Sequence, residues 1–228
     1  MGCRSGGAYR DLPAAVLWDM DGTLVDTEPL WIAAETELVT SYGGEWTDEM
    51  AHQLVGNPLL VSGQLIRDNS PVTLSVEEIV DYLLERVIAG MRRHVPWRPG
   101  AQELLKGLVA QGVPNALVTM SYESFAGVLV DAVPAGTFSV VVTGDTVDNG
   151  KPHPEAYLTA LRLLGAEAAD CVAIEDSIPG VRSAVAAGIP TLAVPHVIEV
   201  PAMAGATQVE SLEGLKPEAL RELTGSSR

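Results

Sequence analysis

Short runs of uninterrupted apolar residues alternate along the chain with segments whose apolar positions recur every three or four residues. The runs from Ala14 to Trp18, Asn115 to Thr119, Phe138 to Val142, Cys171 to Glu175 and Pro190 to Val194 read as strands. The periods over Pro99–Gln111, Ser121–Asp131, His153–Leu164 and Ile178–Ala187 read as helices between them. Strands apolar at nearly every position need cover on both faces. Alternating with helices, they predict an α/β fold, a doubly wound parallel sheet with a Rossmann-like core. Ligands in such sheets bind beyond the carboxyl ends of the strands.

One interval breaks the rhythm. About 95 residues separate the first strand from the second, where a crossover needs a dozen or a few dozen. Asp26-Thr27-Glu28-Pro29 has the form of a helix start, with a capping side chain and proline in the first turn, and predicts a helix to about Tyr42. Ser75-Val76-Glu77-Glu78 opens another, continued by Ile79, Leu83, Leu84, Val87 and Ile88. Gly56-Asn57-Pro58 reads as a helix-breaking turn. The insertion is therefore expected to be a helical cap over residues 27–94, with residues 1–26 and 95–228 forming the catalytic core. Asp26-Thr27 and the stretch before Arg98 are the expected hinges. The ends, up to about Arg10 and from Thr224 to Arg228, read as loose tails.

Charge narrows the partners. There are 14 Lys+Arg against 30 Asp+Glu, a net charge of −16. A chain with no basic surplus is not expected to bind nucleic acid. The insertion carries 11 acidic and 4 basic residues, so it offers no surface for polyanions either, and the expected substrate is small. Apolar runs fall well short of the roughly 20 residues of a membrane span, and the first ten residues lack a signal-peptide core. A cytoplasmic protein without membrane contact, monomer or homodimer, is the expectation. Gly6 stands where a myristoylation pattern needs Ser or Thr. Cys3 and Cys171 have no Cys or His neighbours, so neither disulfide nor zinc site is implied.

The chemistry gathers at the strand ends. Asp19 and Asp21 stand two apart where the first strand meets a glycine turn; one suits attack on phosphorus, the other proton transfer to and from the leaving group and water. Such a pair alone also fits a calcium-like loop or a solvated turn. Thr119 offers a hydroxyl after the second strand, for a phosphoryl oxygen or merely a helix cap. Lys151, between Gly150 and Pro152-His153-Pro154, is restrained by its prolines, although most lysines are surface residues. Glu175-Asp176 ends the fourth strand: adjacent acids imply a hard divalent cation between them, or a helix cap by Asp176 or Ser177. Four such coincidences at four strand ends together describe phosphoryl transfer by positioning and electrostatics.

This set, Asp19-Met20-Asp21-Gly22-Thr23-Leu24-Val25-Asp26-Thr27, then Thr119, Lys151 and Glu175-Asp176, resembles the four motifs of the haloacid dehalogenase superfamily, from about Ala14 to Leu223. The helical insertion is similar to the cap of its phosphatase and beta-phosphoglucomutase branch. The resemblance implies an aspartyl-phosphate on Asp19, with Asp21 as general acid/base. It also implies Mg²⁺ held by Asp19, the Asp21 backbone carbonyl and Asp176, with Glu175 acting directly or through water. Asp21 argues against dehalogenation and phosphonate cleavage. Trp31 stands where mutases of this branch usually carry His. Met120 replaces the common Ser or Asn after the second-motif Thr, and Ser121 is the candidate to supply the missing polar contact.

The expected function is thus an Mg²⁺-dependent phosphatase of a small phosphorylated metabolite, a sugar phosphate or similar ester. Its alternatives are a hexose-phosphate mutase and, from another class, a phosphoacceptor signalling module. Trp31, His52, Gln53, Asn57 and Arg67 are the cap residues proposed to read substrate, each equally readable as ordinary cap packing or solvated surface.

Overall fold

Three strands that the apolar runs predict lie side by side at the centre of one parallel sheet. In the computed structural model, which describes residues 12–54 and 57–223, the strands are β1 (Val16–Trp18), β2 (Asn115–Val118), β3 (Val140–Val142), β4 (Val172–Glu175), β5 (Thr191–Ala193) and β6 (Ala206–Gln208). Their order is β3-β2-β1-β4-β5-β6, all neighbours parallel. The readings made for Cys3, for Gly56 and for both tails lie outside the described residues.

Every residue of β1, β2, β4 and β5 is buried. Since side chains alternate between faces, both faces of the sheet are covered. The helices are α1 (Glu28–Ser41), α2 (Asp48–His52), α3 (Leu59–Asn69), α4 (Val76–Arg93), α5 (Ala101–Ala110), α6 (Glu123–Asp131), α7 (Glu155–Leu164), α8 (Ile178–Ala186) and α9 (Ala219–Leu223). β1 leads to β2 and β3 on one side, and the chain then returns to place β4 on β1's other flank. The strand order reverses between β1 and β4, and in sheets of this kind the carboxyl ends at such a switch point are where ligands bind. Asp19 follows β1 and Glu175 ends β4.

The described residues fall into two compact units, one within Met1–Val25 and Trp97–Arg228, the other Asp26–Pro96. In the first, Val25 bridges Trp97 and Arg98 N–H donates to Leu24 O at 2.9 Å. In the second, α4 packs on α1 and α3. Gly63 of α3 and Gly90 of α4 sit where a Cβ would meet Val76 at 3.1 Å and Leu30 at 2.9 Å, so their lack of a side chain sets how closely the helices approach. Glu35 is buried in this unit and accepts from Trp46 Nε1 at 3.1 Å; burial pushes its carboxyl up to about 7. Ser75 and Glu78 form the reciprocal cap that starts α4.

Some elements differ from the sequence pattern. α2, α3, α9 and β6 are additional. α2 is one turn long, α3 fully buries only Ile66 among its apolar residues, beside Ser62 and Gly63, and β6 is a half-exposed edge with the sequence Ala-Thr-Gln. Thr27 precedes α1 but its side chain makes no capping hydrogen bond, because its backbone is already helical (φ −88°, ψ −11°). α6 starts at Glu123 rather than Ser121, and its first N–H is taken by Asp145 Oδ1 at 3.1 Å from another loop. No helix among the described residues is long and apolar enough to cross a membrane.

A buried polar pair joins β1 to β2: Trp18 Nε1 donates to Asn115 Oδ1 at 2.9 Å, and Asn115 Nδ2 donates to Val113 O at 2.9 Å. Asn115→Leu keeps the volume but leaves the indole N–H unpaired, and is expected to cost about 1–3 kcal/mol, read as a lower urea midpoint in circular dichroism.

Candidate active site

The loop after β1 sets the first carboxylates. Asp19 N–H still pairs with Ile174 O at 3.0 Å, which extends the sheet's register by one residue. The chain then folds tightly, with Leu24 N–H to Met20 O at 2.9 Å and Gly22 N–H to Val25 O at 2.8 Å. Gly22 has φ +85°, and a Cβ there would lie 2.0 Å from Asp176 Oδ2. Glycine is therefore needed twice, for the left-handed turn and for the approach of the β4 loop.

Lys151 joins three strand ends. Its Nζ donates to Asp19 Oδ1 at 2.6 Å, Glu175 Oε1 at 2.6 Å and Val118 O at 2.8 Å. Those three bonds use all three ammonium hydrogens. Its side chain is 4% exposed and that of Glu175 is 0%. Burial opposes the lysine's charge, but Asp19 and then Glu175 outweigh it and hold its pKa above the ordinary lysine value. Glu175 is pushed up to about 7 by burial, against the pull of Lys151.

Around this centre the remaining core residues form two short chains of contacts. Ser121 Oγ donates to Asp21 Oδ2 at 2.6 Å, and Ser121 N–H donates to Thr119 Oγ1 at 3.0 Å. Thr119 thus braces the turn before α6 and does not cap that helix. Met120 turns its sulfur to Lys151 N–H at 3.2 Å, and a Cβ on Gly144 would come 2.2 Å from its carbonyl oxygen. Here Met120 supports the lysine loop. On the β4 side Ser177, not Asp176, caps α8, accepting from Gly180 N–H at 3.2 Å. Thr23 Oγ1 reaches Asp176 Oδ1 at 3.4 Å.

Asp19, Glu175 and Asp176 each offer a carboxylate oxygen, and these oxygens lie within 4.8 Å of one another. Burial, then Asp19 and Glu175, push the Asp176 carboxyl up to about 9. Three hard oxygen donors, with one lysine against three acids, fit a small divalent cation of the Mg²⁺ kind.

The structure therefore brings Asp19, Asp21, Thr119, Met120, Ser121, Lys151, Glu175 and Asp176 together. The cap candidates belong to the other unit. There Trp31 is half-buried on α1, His52 Nδ1 lies 2.6 Å from Asp48 O, Asn57 Nδ2 donates to Gln53 O at 2.9 Å, and Arg67 is exposed in the last turn of α3. Sequence reasoning missed Tyr157, whose buried hydroxyl donates to Glu175 Oε1 at 2.7 Å. Burial and then Glu175 raise its pKa well above the ordinary phenol value, which keeps it a donor. An aromatic residue on the inner side of a helix looks like core packing, and nothing in the sequence marked its hydroxyl. The close approach of Gly180 to Glu175, where a Cβ would lie 1.9 Å from Oε2, was equally unmarked.

Comparison with known proteins agrees with this geometry. Residues 16–194 match the family model described as haloacid dehalogenase-like hydrolase. A phosphorylated carbohydrates phosphatase of Thermotoga maritima is 33% identical over 186 residues, which are 77% of this chain and 82% of that protein. A bifunctional riboflavin kinase/FMN phosphatase of Arabidopsis thaliana is 31% identical over 83% of this chain, which spans only 50% of that longer protein. Among solved structures, CbbY from Rhodobacter sphaeroides in complex with phosphate superposes with a TM-score of 0.76 at 28% identity, covering 89% of this chain and 96% of that one.

The raised Asp176 carboxyl has a consequence for stability. The native state keeps a proton there that the unfolded chain releases near pH 4, so the group's contribution is complete below about pH 4 and is lost as pH rises towards about 9. Thermal melts of EDTA-treated protein are expected to show a Tm that falls across this window, and Asp176→Asn is expected to flatten that slope.

Proposed function

Because the chain belongs to the haloacid dehalogenase-like hydrolase family, we propose that it is an Mg²⁺-dependent phosphatase of a small phosphorylated metabolite, a sugar phosphate or similar ester, working through an aspartyl-phosphate on Asp19. The observation that carries this reading is the junction of Asp19, Lys151 and Glu175, where a carboxylate at the sheet's switch point is held by a fully engaged ammonium beside two further acids.

A carboxylate oxygen of Asp19 attacks phosphorus, forming an O–P bond as the bond from phosphorus to the leaving oxygen breaks. Asp21, held by Ser121, gives that leaving oxygen its proton. A water molecule then attacks the aspartyl-phosphate and yields a proton to the Asp21 carboxylate. The Asp19–phosphorus bond breaks, which releases inorganic phosphate and restores both acids. Lys151 offsets negative charge on Asp19 and on the transferring group, while the Thr119 hydroxyl, which accepts from Ser121 N–H, keeps its own hydrogen for a phosphoryl oxygen. Asp19 and Asp176, with the Asp21 carbonyl and Glu175, would hold Mg²⁺, which when bound neutralises charge on the phosphoryl oxygens. Trp31, His52, Asn57 and Arg67 remain the proposed readers of the leaving group, and the medium of action is proposed to be the cytoplasm.

Phosphate release from a panel of small phosphate esters tests this. Mg²⁺-dependent release that EDTA stops, and that Asp19→Asn lowers by at least about 10³-fold, is the expected outcome. Release untouched by Asp19→Asn overturns the mechanism. Conversion of glucose 1-phosphate to the 6-phosphate without free phosphate would select a mutase, and lasting phosphorylation of Asp19 a phosphoacceptor.

A further inference from the structure

Two donors converge on one oxygen of Glu175. Lys151 Nζ lies 2.6 Å from Oε1 and Tyr157 OH lies 2.7 Å from it. The other oxygen, Oε2, accepts from Ser177 Oγ at 3.3 Å and lies against Gly180, where a Cβ would be 1.9 Å away. The carboxylate is thus fixed from both ends, by the phenol on one oxygen and by the start of α8 on the other. Lys151 has no spare hydrogen: each of its three points to a set acceptor. Where its head sits therefore depends on where Glu175 Oε1 sits. The Tyr157 ring also lies beneath the ammonium, 5.2 Å from centroid to nitrogen.

Phenylalanine would fill the same volume. A phenol at 0% exposure costs desolvation unless its hydroxyl is used, and here it is used on the acid that anchors the lysine. We propose that Tyr157 is a positioning residue for phosphoryl transfer, its hydroxyl locking the Glu175 carboxylate so that Glu175 aims the Lys151 ammonium at Asp19. The proposal rests on the phosphatase reading and deepens it. The Tyr157 hydroxyl acts through Glu175, and Tyr157→Phe leaves the ring beneath the ammonium in place. Loss of the hydroxyl lets the ammonium drift among its acceptors, which is felt when negative charge gathers on the phosphoryl group, and not when the leaving group binds.

The test is Tyr157→Phe, read in two ways. The chain has only three lysines, and Lys106 and Lys216 are exposed. In ¹⁵N-lysine-labelled protein without metal or substrate, Lys151 is therefore expected to give the one protected ammonium signal. In Tyr157→Phe that signal is expected to shift and to exchange with water about five- to tenfold faster, the worth of one lost hydrogen bond. With the best ester of the panel, kcat is expected to fall about tenfold while KM stays within about twofold. An ammonium signal unchanged in Tyr157→Phe overturns the proposal, as does an unchanged kcat. If the parent protein hydrolyses no ester, the phosphatase reading fails while the ammonium measurement still decides whether Tyr157 positions Lys151. Should Tyr157→Phe not fold, fluorotyrosine at position 157 keeps the shape and strengthens the donor. A moved Lys151 resonance then supports the proposal, and an unmoved one overturns it.

Discussion

The ammonium of Lys151, held by Asp19, Glu175 and the Val118 carbonyl, is the interaction on which the arrangement of the core depends. It ties the ends of β1, β2 and β4 together at the one place where the strand order reverses. A charge so far from water is tolerated only when paired and fully hydrogen-bonded. Removing one member of such a group typically costs about 3–5 kcal/mol, because the others are left buried and uncompensated. The cluster is therefore a structural commitment as well as a chemical one, and the loops around it are built to keep it in place.

That dependence explains the glycines of the site. Gly22 allows the turn that brings Asp176 in, and Gly180 allows Glu175 to lie flat against the start of α8. Gly144 lets the loop after β3 press on the Met120 carbonyl, while the Met120 sulfur meets the Lys151 amide. Each removes a side chain so that backbone or carboxylate can occupy the space. The result is a concentration of negative charge with a single lysine set against it, which raises the carboxyls of Glu175 and Asp176 through burial and mutual repulsion. Three such carboxylate oxygens within 4.8 Å of one another fit a small divalent cation.

Much of this was legible in the residues. The apolar runs located five of the six strands; four of these are buried on both faces and have little room for polar residues, while β3 is the run Val140–Val142 with Val141 exposed. Three of the four motifs were legible because each sits where such a run stops; Lys151, nine residues beyond β3, was marked instead by Pro152 and Pro154. Elements lacking that contrast were not legible: α3 buries Ser62 and Gly63 with a single apolar residue, Ile66, and β6 is a short, half-exposed edge. Asp145 capping α6 from a distant loop could not be read either, because its partner lies 22 residues away and local sequence carries no sign of it.

By itself the sequence determined the class of fold, the helical insertion between the first two strands and the residue types that meet at the strand ends. These follow from local rules, periodicity and the abrupt end of apolar runs, which depend on near neighbours alone. Only the tertiary structure decided which hydrogen bonds those residues make: Ser121 on Asp21, Met120 on the lysine loop, Ser177 as the cap of α8 and Tyr157 on Glu175. The physical reason is that a hydrogen bond depends on distance and direction at the scale of tenths of an ångström. For Ser121, Met120 and Tyr157 those are set by the packing of segments far apart in the chain, and not by the residue's own identity.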